Sequence, residues 1–310
     1  GIIMREPSVV AVDTRNYTVK YVGQEAKDVI GRTPGSIVAV RPLKDGVIAD
    51  FDVTTSMLQE FIRKATNKSL MTKIRVIICI PSGVTEVERR AVREATLKAG
   101  ARQVSVIEEP MAAAIGAGLP ISEPTGSMIV DIGGGTTQIA VVSMGGVAEC
   151  ESIKTAGSTF DEAIIRYIKK KHNMLIGAMT AEEVKINIGG VYPRSDAPES
   201  MEVKGRDLIK GLPKTVSVTA EELVDVLREP ARLILENVHA VLERTPPELI
   251  GDLGVNGMIL SGGGSLLYGI DRMIEDSTHI RTMIVDDPLA CAAHGAGKLL
   301  TKLDSMQDGM

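Results

Sequence analysis

The stretch Ser127-Met-Ile-Val-Asp-Ile-Gly-Gly-Gly-Thr-Thr-Gln-Ile-Ala-Val-Val142 decides how the rest of the chain is read. An apolar run, Met128 to Val130, ends in Asp131. After Ile132 come Gly133, Gly134 and Gly135, then Thr136 and Thr137, and a second apolar run occupies Ile139 to Val142. Short Val- and Ile-rich runs on either side of glycine predict strand, tight turn, strand. Glycines in such a turn admit positive φ and place no Cβ in the way. Successive amide N–H groups can then point into one concavity, which suits a phosphate. Thr136 and Thr137 add hydroxyl donors. Asp131 sits where a strand end can hold a hydrated Mg²⁺, the usual ion beside a triphosphate. A plain glycine-rich hairpin would carry the same local pattern. With no GK[ST] after the glycines the turn is not a P-loop, and a Rossmann turn would lead into a helix rather than a strand.

A second glycine turn strengthens the nucleotide reading. Gly257-Met-Ile-Leu-Ser-Gly-Gly-Gly-Ser265 followed by Leu266 to Ile274 predicts strand, glycine turn, helix. A helix starting at Ser265 would offer free amides and the positive end of its dipole. Two such turns, far apart in sequence, could face one nucleotide from two sides.

The chain has 310 residues, 44% hydrophobic and 24% charged, which fits two soluble globular domains with substantial cores. A net charge of −5 with no basic tail argues against nucleic acid as the main partner. Aromatic residues make up 3% and tryptophan is absent, so stacking platforms for bases or sugars are scarce. No apolar run approaches ~18 residues, so no membrane span is expected, and no signal-peptide pattern is read. Cys79, Cys150 and Cys291 lie far apart and lack CxxC spacing, which predicts free thiols in a reducing compartment. His172, His239, His279 and His294 show no metal-ligand spacing.

Along the chain, Ser8 to Val12 and Thr18 to Val22 read as strands and Gly23 to Ile30 as a short helix. Gly31 to Asp52 reads as loop, and Val53 to Ala65 as a helix by the spacing of Val53, Met57, Leu58, Phe61 and Ile62. Leu70 and Met71 stand between Lys68 and Lys73 in a polar loop. They either fold onto the core or form a tip whose apolar side chains enter lipid while the lysines meet anionic headgroups. Arg75 to Ile80 and Val104 to Ile107 read as strands, and Thr85-Glu-Val-Glu88 as a capping box for a helix ending before Gly100. Glu108-Glu109-Pro110 leads into a helix through Ile115, where a glutamate is ordinarily a helix-start charge. Val147 to Ile153 reads as a strand. Ser158 is placed to cap a helix from Thr159 to Lys171, and Thr180-Ala-Glu-Glu183 to box the next, with Glu182 and Lys185 sharing one face. Met201 to Val203 and Thr215 to Val218 read as strands. Thr219-Ala-Glu-Glu222 starts the longest helix, to about Glu243, which Pro230 is expected to kink or break. Pro246-Pro247 ends that segment. Thr282 to Val285 reads as a strand and Pro288 to Leu300 as a final helix. Mixed strands and helices in two parts predict two α/β domains around a cleft.

At these residues the chain resembles the MreB family, bacterial actin-like rod-shape proteins that include Mbl and MreBH, over essentially its whole length. The resemblance is carried by Glu6-Pro-Ser-Val-Val10, Ile30-Gly-Arg-Thr-Pro-Gly35, Arg41-Pro-Leu-Lys-Asp-Gly-Val-Ile-Ala-Asp50 and Ile107-Glu-Glu-Pro-Met-Ala-Ala-Ala-Ile-Gly116. The Asp131 hairpin, Thr180 to Lys185, Gly205 to Leu208, Arg244 to Leu249 and Ser261 to Ser265 add to it. The glycine turn alone would indicate only the superfamily of actins, chaperone ATPases and sugar kinases, which supply the alternative readings. A chaperone would need a substrate-binding domain, and a sugar kinase a catalytic Asp and a polar sugar pocket.

The resemblance implies an α/β, actin-like (RNase H-like duplicated) ATPase fold, two domains with inserted subdomains around a nucleotide cleft. Subdomain IA would take residues 1–10, 47–123 and 292–310, and IB residues 11–46. Subdomain IIA would take 124–159 and 224–291, and IIB residues 160–223. It implies ATP and Mg²⁺ as ligands, Gly133, Gly134, Gly135, Thr136 and Thr137 on the phosphates, and Asp131 reaching Mg²⁺ through water. Glu109 would face the γ-phosphate and, with Thr136, orient the attacking water. Glu182 and Lys185 would line the nucleoside side, with Gly157 and Glu183 in the same nucleotide-binding set. Gly262, Gly263, Gly264 and Ser265 would pass under the adenosine. Leu70 and Met71 fall at the family's membrane-binding loop. A slow ATPase coupled to polymerisation is implied, with filaments at the inner face of the bacterial membrane organising cell-wall elongation. Implied partners are other copies of the chain and MreC, MreD and RodZ. The chain departs from the family pattern at Ser158, Gln138 and Ala178-Met179. The family also begins with a strand and a DLGTAN-type phosphate loop, whereas Gly1 here enters at the third strand of that pattern.

Overall fold

A computed structural model describes residues 1–32, 35–44, 46–66 and 74–307, with side chains to residue 301. Leu70 and Met71 lie outside the described residues. The chain forms two compact units. One comprises Gly1–Ala112 and the chain from Ala293 onward, and the other Ala113–Ala292.

The first unit opens with β1 (Val10–Asp13), β2 (Thr18–Val22), α1 (Gln24–Asp28) and β3 (Ile37–Val40). These strands make an antiparallel sheet in the order β2-β1-β3. The short pair β4 (Leu43–Lys44) and β5 (Val47–Ile48) follows, then α2 (Phe51–Ala65), β6 (Arg75–Ile80), α3 (Glu86–Lys98), β7 (Gln103–Glu108) and α4 (Glu109–Ala117), inside which the boundary between units falls. The segment 31–52, expected to be loop, thus contains three strands. Each is too short to show a period, and β3 exists because β1 offers its second edge as a partner. Asp50 caps α2 by accepting from the Val53 amide at 2.9 Å. The helix buries Val53 and Met57 against Val10, Val12 and Val22. The expected capping box at Thr85 and Glu88 starts α3. Strands β6 and β7 run parallel, with Ile80 opposite Glu108, and carry the chain to the Glu108–Glu109 junction.

The second unit contains β8 (Ser127–Ile132), β9 (Thr137–Ser143), β10 (Gly146–Ile153), α5 (Gly157–His172), β11 (Met174–Leu175), α6 (Ala178–Ile188), β12 (Ser200–Asp207) and β13 (Pro213–Thr219). It continues with α7 (Ala220–Arg244), α8 (Pro247–Asn256), β14 (Met258–Ser261), α9 (Ile270–Thr278), β15 (Thr282–Ile284) and the start of α10 (Cys291–Gln307). Its main sheet has the order β10-β9-β8-β14-β15. The hairpin side is antiparallel, and β8, β14 and β15 are parallel. Every residue of β8 is buried, as its unbroken apolar run requires of a strand covered on both faces. Met128, Val130, Ile132, Ile139 and Val141 pack with Phe160, Ile164 and Ile168 of α5 and Leu223, Leu227 and Ile234 of α7.

Several helix boundaries differ from the sequence expectation. α5 begins at Gly157, with Ala156 rather than Ser158 at the cap position, and the Ala156 amide donates to Thr159 Oγ1 at 3.2 Å. α6 begins at Ala178 after Gly177, so the Thr180 box falls inside the helix. Pro230 does not break α7, which runs unbroken from Ala220 to Arg244. A mid-helix proline costs about 3 kcal/mol. The buried stripe Leu223, Leu227, Ala231, Ile234, Val238 and Val241 outweighs that cost, each large side chain contributing roughly 1.5–3 kcal/mol. Pro247 opens α8 rather than only ending α7, because the first helical position needs no amide donor.

The start of α7 is also an electrostatic anchor. Burial would raise the Glu222 carboxyl, but Lys171, the Thr219 amide and the Tyr167 hydroxyl outweigh it and hold the group down to about 2. Tyr167 donates to Glu222 Oε2 at 2.7 Å and the Thr219 amide to Oε1 at 2.9 Å. A depressed carboxylate stabilises the fold fully above its unfolded value and loses that contribution as pH falls toward the folded one. We expect Glu222→Gln to cost about 1–2 kcal/mol at pH 7 and the gap from wild type to close between about pH 4.5 and 2. Urea midpoints measured across that range check this, and a gap independent of pH would contradict it.

Candidate functional site

The site in the second unit is built where β8 and β14, parallel neighbours, end side by side. Ser261 is in register with Asp131. One glycine turn leaves β8 toward β9 and the other leaves β14, so the two turns are adjacent on one sheet rather than opposed. The second does not lead straight into a helix. Gly263–Leu266 is a short 3-10 turn, and α9 starts only after Gly269. The Ser265 amide and hydroxyl fold back on the Gly262 carbonyl at 3.2 and 2.7 Å, so the Ser265 donors are spent within the turn.

The glycines serve close approach. Neither Gly133 nor Gly134 takes a left-handed φ, contrary to the sequence expectation. A Cβ at Gly133 would sit 3.0 Å from the Thr136 carbonyl, whose bond from the Gly133 amide (2.9 Å) closes the turn. Gly262 does use φ +79°, and a Cβ there would overlap the Ile132 carbonyl and the Asp131 carboxylate. A Cβ at Gly264 would strike the Ile132 side chain. Gly157 closes the arrangement from above. Its amide donates to the Gly133 carbonyl at 3.0 Å and the Ser158 amide to the Gly134 carbonyl at 2.7 Å.

With those carbonyls turned to α5, the amides of Gly134, Gly135 and Thr136 make no hydrogen bond to protein among the described residues. Thr136 Oγ1 is equally uncommitted there. The Thr137 hydroxyl donates to the Thr155 carbonyl at 2.7 Å and braces the turn. Three amides and a hydroxyl in one turn form a donor nest for an anion. Beside it, Asp131 is 5% exposed. Burial pushes its carboxyl up to about 6. Ser261 offsets part of the rise without completing a well-aligned hydrogen bond. A buried carboxylate with so little protein support suits a hydrated cation. No group of three or more His, Cys, Asp or Glu side chains gathers into a cage among the described residues, and Mg²⁺, which keeps most of its water, needs only one or two carboxylates.

Lys185, half-buried on α6, places Nζ 3.0 Å from the Gly157 carbonyl and 2.7 Å from Asp161 Oδ1. Sequence reasoning missed Asp161, because nothing local links it to Lys185. Glu182 is half-buried on the same helix and Glu183 is exposed. Glu109 belongs to the first unit, at the start of α4, and is half-buried. Its neighbour Glu108 accepts from Ser82 Oγ at 2.9 Å and lies 3.7 Å from Arg89 Nη2. No helix among the described residues is long and apolar enough to cross a membrane.

Fold and site together define an actin-like protein. A family profile described as MreB/Mbl protein matches residues 1–308, and the chain belongs to that family. It is similar to the cell shape-determining protein Mbl of Bacillus cereus, 48% identical over 306 residues, spanning 99% of this chain and 92% of that one. The cell shape-determining protein MreB of Escherichia coli K12 is 50% identical over 309 residues, 98% of this chain and 89% of that one. Among solved structures, MreB5 of Spiroplasma citri bound to ADP superposes with a TM-score of 0.94 at 37% identity, covering 100% of this chain and 93% of that one. The same protein bound to AMPPNP gives 0.92 at 38% identity, covering 98% and 92%.

Proposed function

We propose that this protein binds ATP with Mg²⁺, hydrolyses it slowly, and assembles into filaments that determine rod shape by organising cell-wall elongation at the inner membrane face. The observation that carries the reading is the nest of uncommitted amides at Gly134, Gly135 and Thr136 beside the buried Asp131. Relatives of similar sequence bound to ADP and to AMPPNP support the same chemistry. The β- and γ-phosphates take the nest and the Thr136 hydroxyl. The Gly262–Ser265 turn lies under the adenosine, and Gly157, Glu182, Glu183 and Lys185 line its nucleoside side. Asp131 holds Mg²⁺ through water, and the ion supplies charge neutralisation for the transferring phosphoryl group. Glu109 and Thr136 orient the attacking water, and catalysis is positioning with electrostatic stabilisation, without a covalent nucleophile.

Partners of this reading are further copies of the chain, the membrane surface and elongation proteins of the MreC, MreD and RodZ kinds. Titration with a fluorescent ATP analogue in Mg²⁺, phosphate-release assays and electron microscopy with ATP test it. Absence of nucleotide binding would overturn it.

Leu70 and Met71 carry the membrane part. Changing both to Ser is expected to abolish sedimentation with anionic liposomes while leaving thermal stability unchanged. Each apolar side chain contributes roughly 1.5–3 kcal/mol on burial, and assembly multiplies the contacts. Full liposome binding by the double variant would place the membrane contact elsewhere.

A further inference from the structure

We infer that Asp161 and Lys185 form a positioning latch that sets the phosphate-binding turn from the nucleoside side of the site. The inference rests on the nucleotide reading above. The path runs through four direct contacts. Asp161 lies one turn along α5 from Gly157, so its carboxylate and the Gly157 carbonyl face the same side of the helix. The Lys185 ammonium, reaching across from α6, joins both, at 2.7 Å and 3.0 Å. Gly157 and Ser158 in turn hold the carbonyls of Gly133 and Gly134. Gly157 is tight enough that a Cβ there would lie 3.2 Å from the Gly133 carbonyl. The first turn of α5 is therefore clamped between a lysine on one side and the glycine turn on the other.

The orientation of the Gly134, Gly135 and Thr136 amides depends on their carbonyls staying turned to α5. A shift of the α5 start would move those carbonyls and misdirect the donors. The Asp161 and Lys185 side chains are 13% and 16% exposed, so the pair is poorly screened and holds one geometry. An ammonium carries three donors. One goes to the Gly157 carbonyl, the ion pair with Asp161 is a charge contact without an aligned hydrogen bond, and donor capacity remains for a ligand on α6's side of the site. Occupation there pulls on the same Lys185 that fixes the α5 start, so the nucleoside and phosphate ends are coupled through one side chain. Asp161 itself touches no ligand in this scheme and acts through Lys185.

The test compares ligands that differ only in phosphate content. In the whole protein, Asp161→Asn is expected to weaken ATP binding about tenfold, within the usual span of coupling between sites. Adenosine binding should change less than about twofold, because the nucleoside contacts remain. Lys185→Arg, which keeps the pair, should retain most of the ATP preference. Hydrogen exchange of the nucleotide-free protein gives a second readout, with the Gly157 and Ser158 amides exchanging faster in Asp161→Asn than in wild type. If Asp161→Asn does not fold, Asp161→Ser, which also removes the carboxylate and leaves Lys185 in place, carries the same expectations. Equal losses for ATP and adenosine, or unchanged exchange at Gly157 and Ser158, would overturn the latch. If the wild-type protein binds neither ligand, the nucleotide reading fails, and the exchange result alone decides whether the latch exists.

Discussion

Replacing Glu109 with Ala is expected to lower phosphate release by about 100-fold, the scale of a water-positioning group, while ATP affinity stays within a few-fold. The neighbouring Glu108 provides the control. Both glutamates sit at the junction of β7 and α4, and Glu108 is bonded to Ser82 and paired with Arg89. Glu108→Ala should therefore perturb stability more than turnover. A proton acceptor or water-orienting group acts in the transition state and contributes little to ground-state binding, so the loss belongs in kcat and not in KM. Single-turnover phosphate release with saturating ATP measures this directly. An unchanged rate in Glu109→Ala would remove Glu109 from the mechanism, and an equal fall in both variants would point to a general disturbance of the junction.

The second large effect concerns Asp131, where stability and function are expected to move in opposite directions. In the ligand-free protein the carboxyl is pushed up to about 6 by burial, only partly offset by Ser261. An unfolded aspartate titrates near 3.9. Between those values the native state holds a proton that the unfolded chain releases, so stability falls as pH rises from about 4 to 6. Above that window the ionised group costs the fold about 2 kcal/mol. Asp131→Asn removes the cost. The ligand-free midpoint at pH 7.5 should rise by about 4 °C, and the fall between pH 4 and 6 should flatten. The same change removes the charge proposed to face Mg²⁺. Affinity for Mg²⁺-ATP should drop by about 100-fold, or 2.7 kcal/mol, and the extra stability conferred by the ligand should largely disappear. Differential scanning fluorimetry with and without Mg²⁺-ATP across pH reads both effects. A variant that is less stable without ligand, or that keeps its Mg²⁺ response, would contradict the assignment.

The parts of the site legible in the sequence were those with strong local signals. Val- and Ile-rich runs abutting glycines marked β8, β9 and β14, because a buried strand must be apolar on both faces and a close-approach turn must lack side chains. Thr85-Glu88 and Thr219-Glu222 marked helix starts because a capping box closes within four residues. What stayed hidden was set by distant partners. Strands β3, β4 and β5 are short and become strands only by pairing. Pro230 reads as a break until the stripe packed around it is known. The start of α6 at Ala178 has no capping signature. The Ser265 turn was read as a helix end because a glycine run before apolar residues does not distinguish a 3-10 turn from an α-helix. The Thr137 hydroxyl donates to the Thr155 carbonyl, a partner that no local pattern announces. Asp161 gave no signal, since its partner Lys185 lies on another helix.

The pairing of Ser261 with Asp131 also has a kinetic consequence. These register partners are about 130 positions apart in the chain, and contacts of such long sequence separation form late, after the entropy of closing the intervening loop has been met. During synthesis the β8–β9 hairpin can form as soon as residue 143 emerges. The strand that pairs beside it, β14, follows only once residue 261 has emerged. A nascent chain therefore carries the first glycine turn before the second exists. Nucleotide can stabilise the finished unit, but it has no assembled surface on which to template the earlier steps.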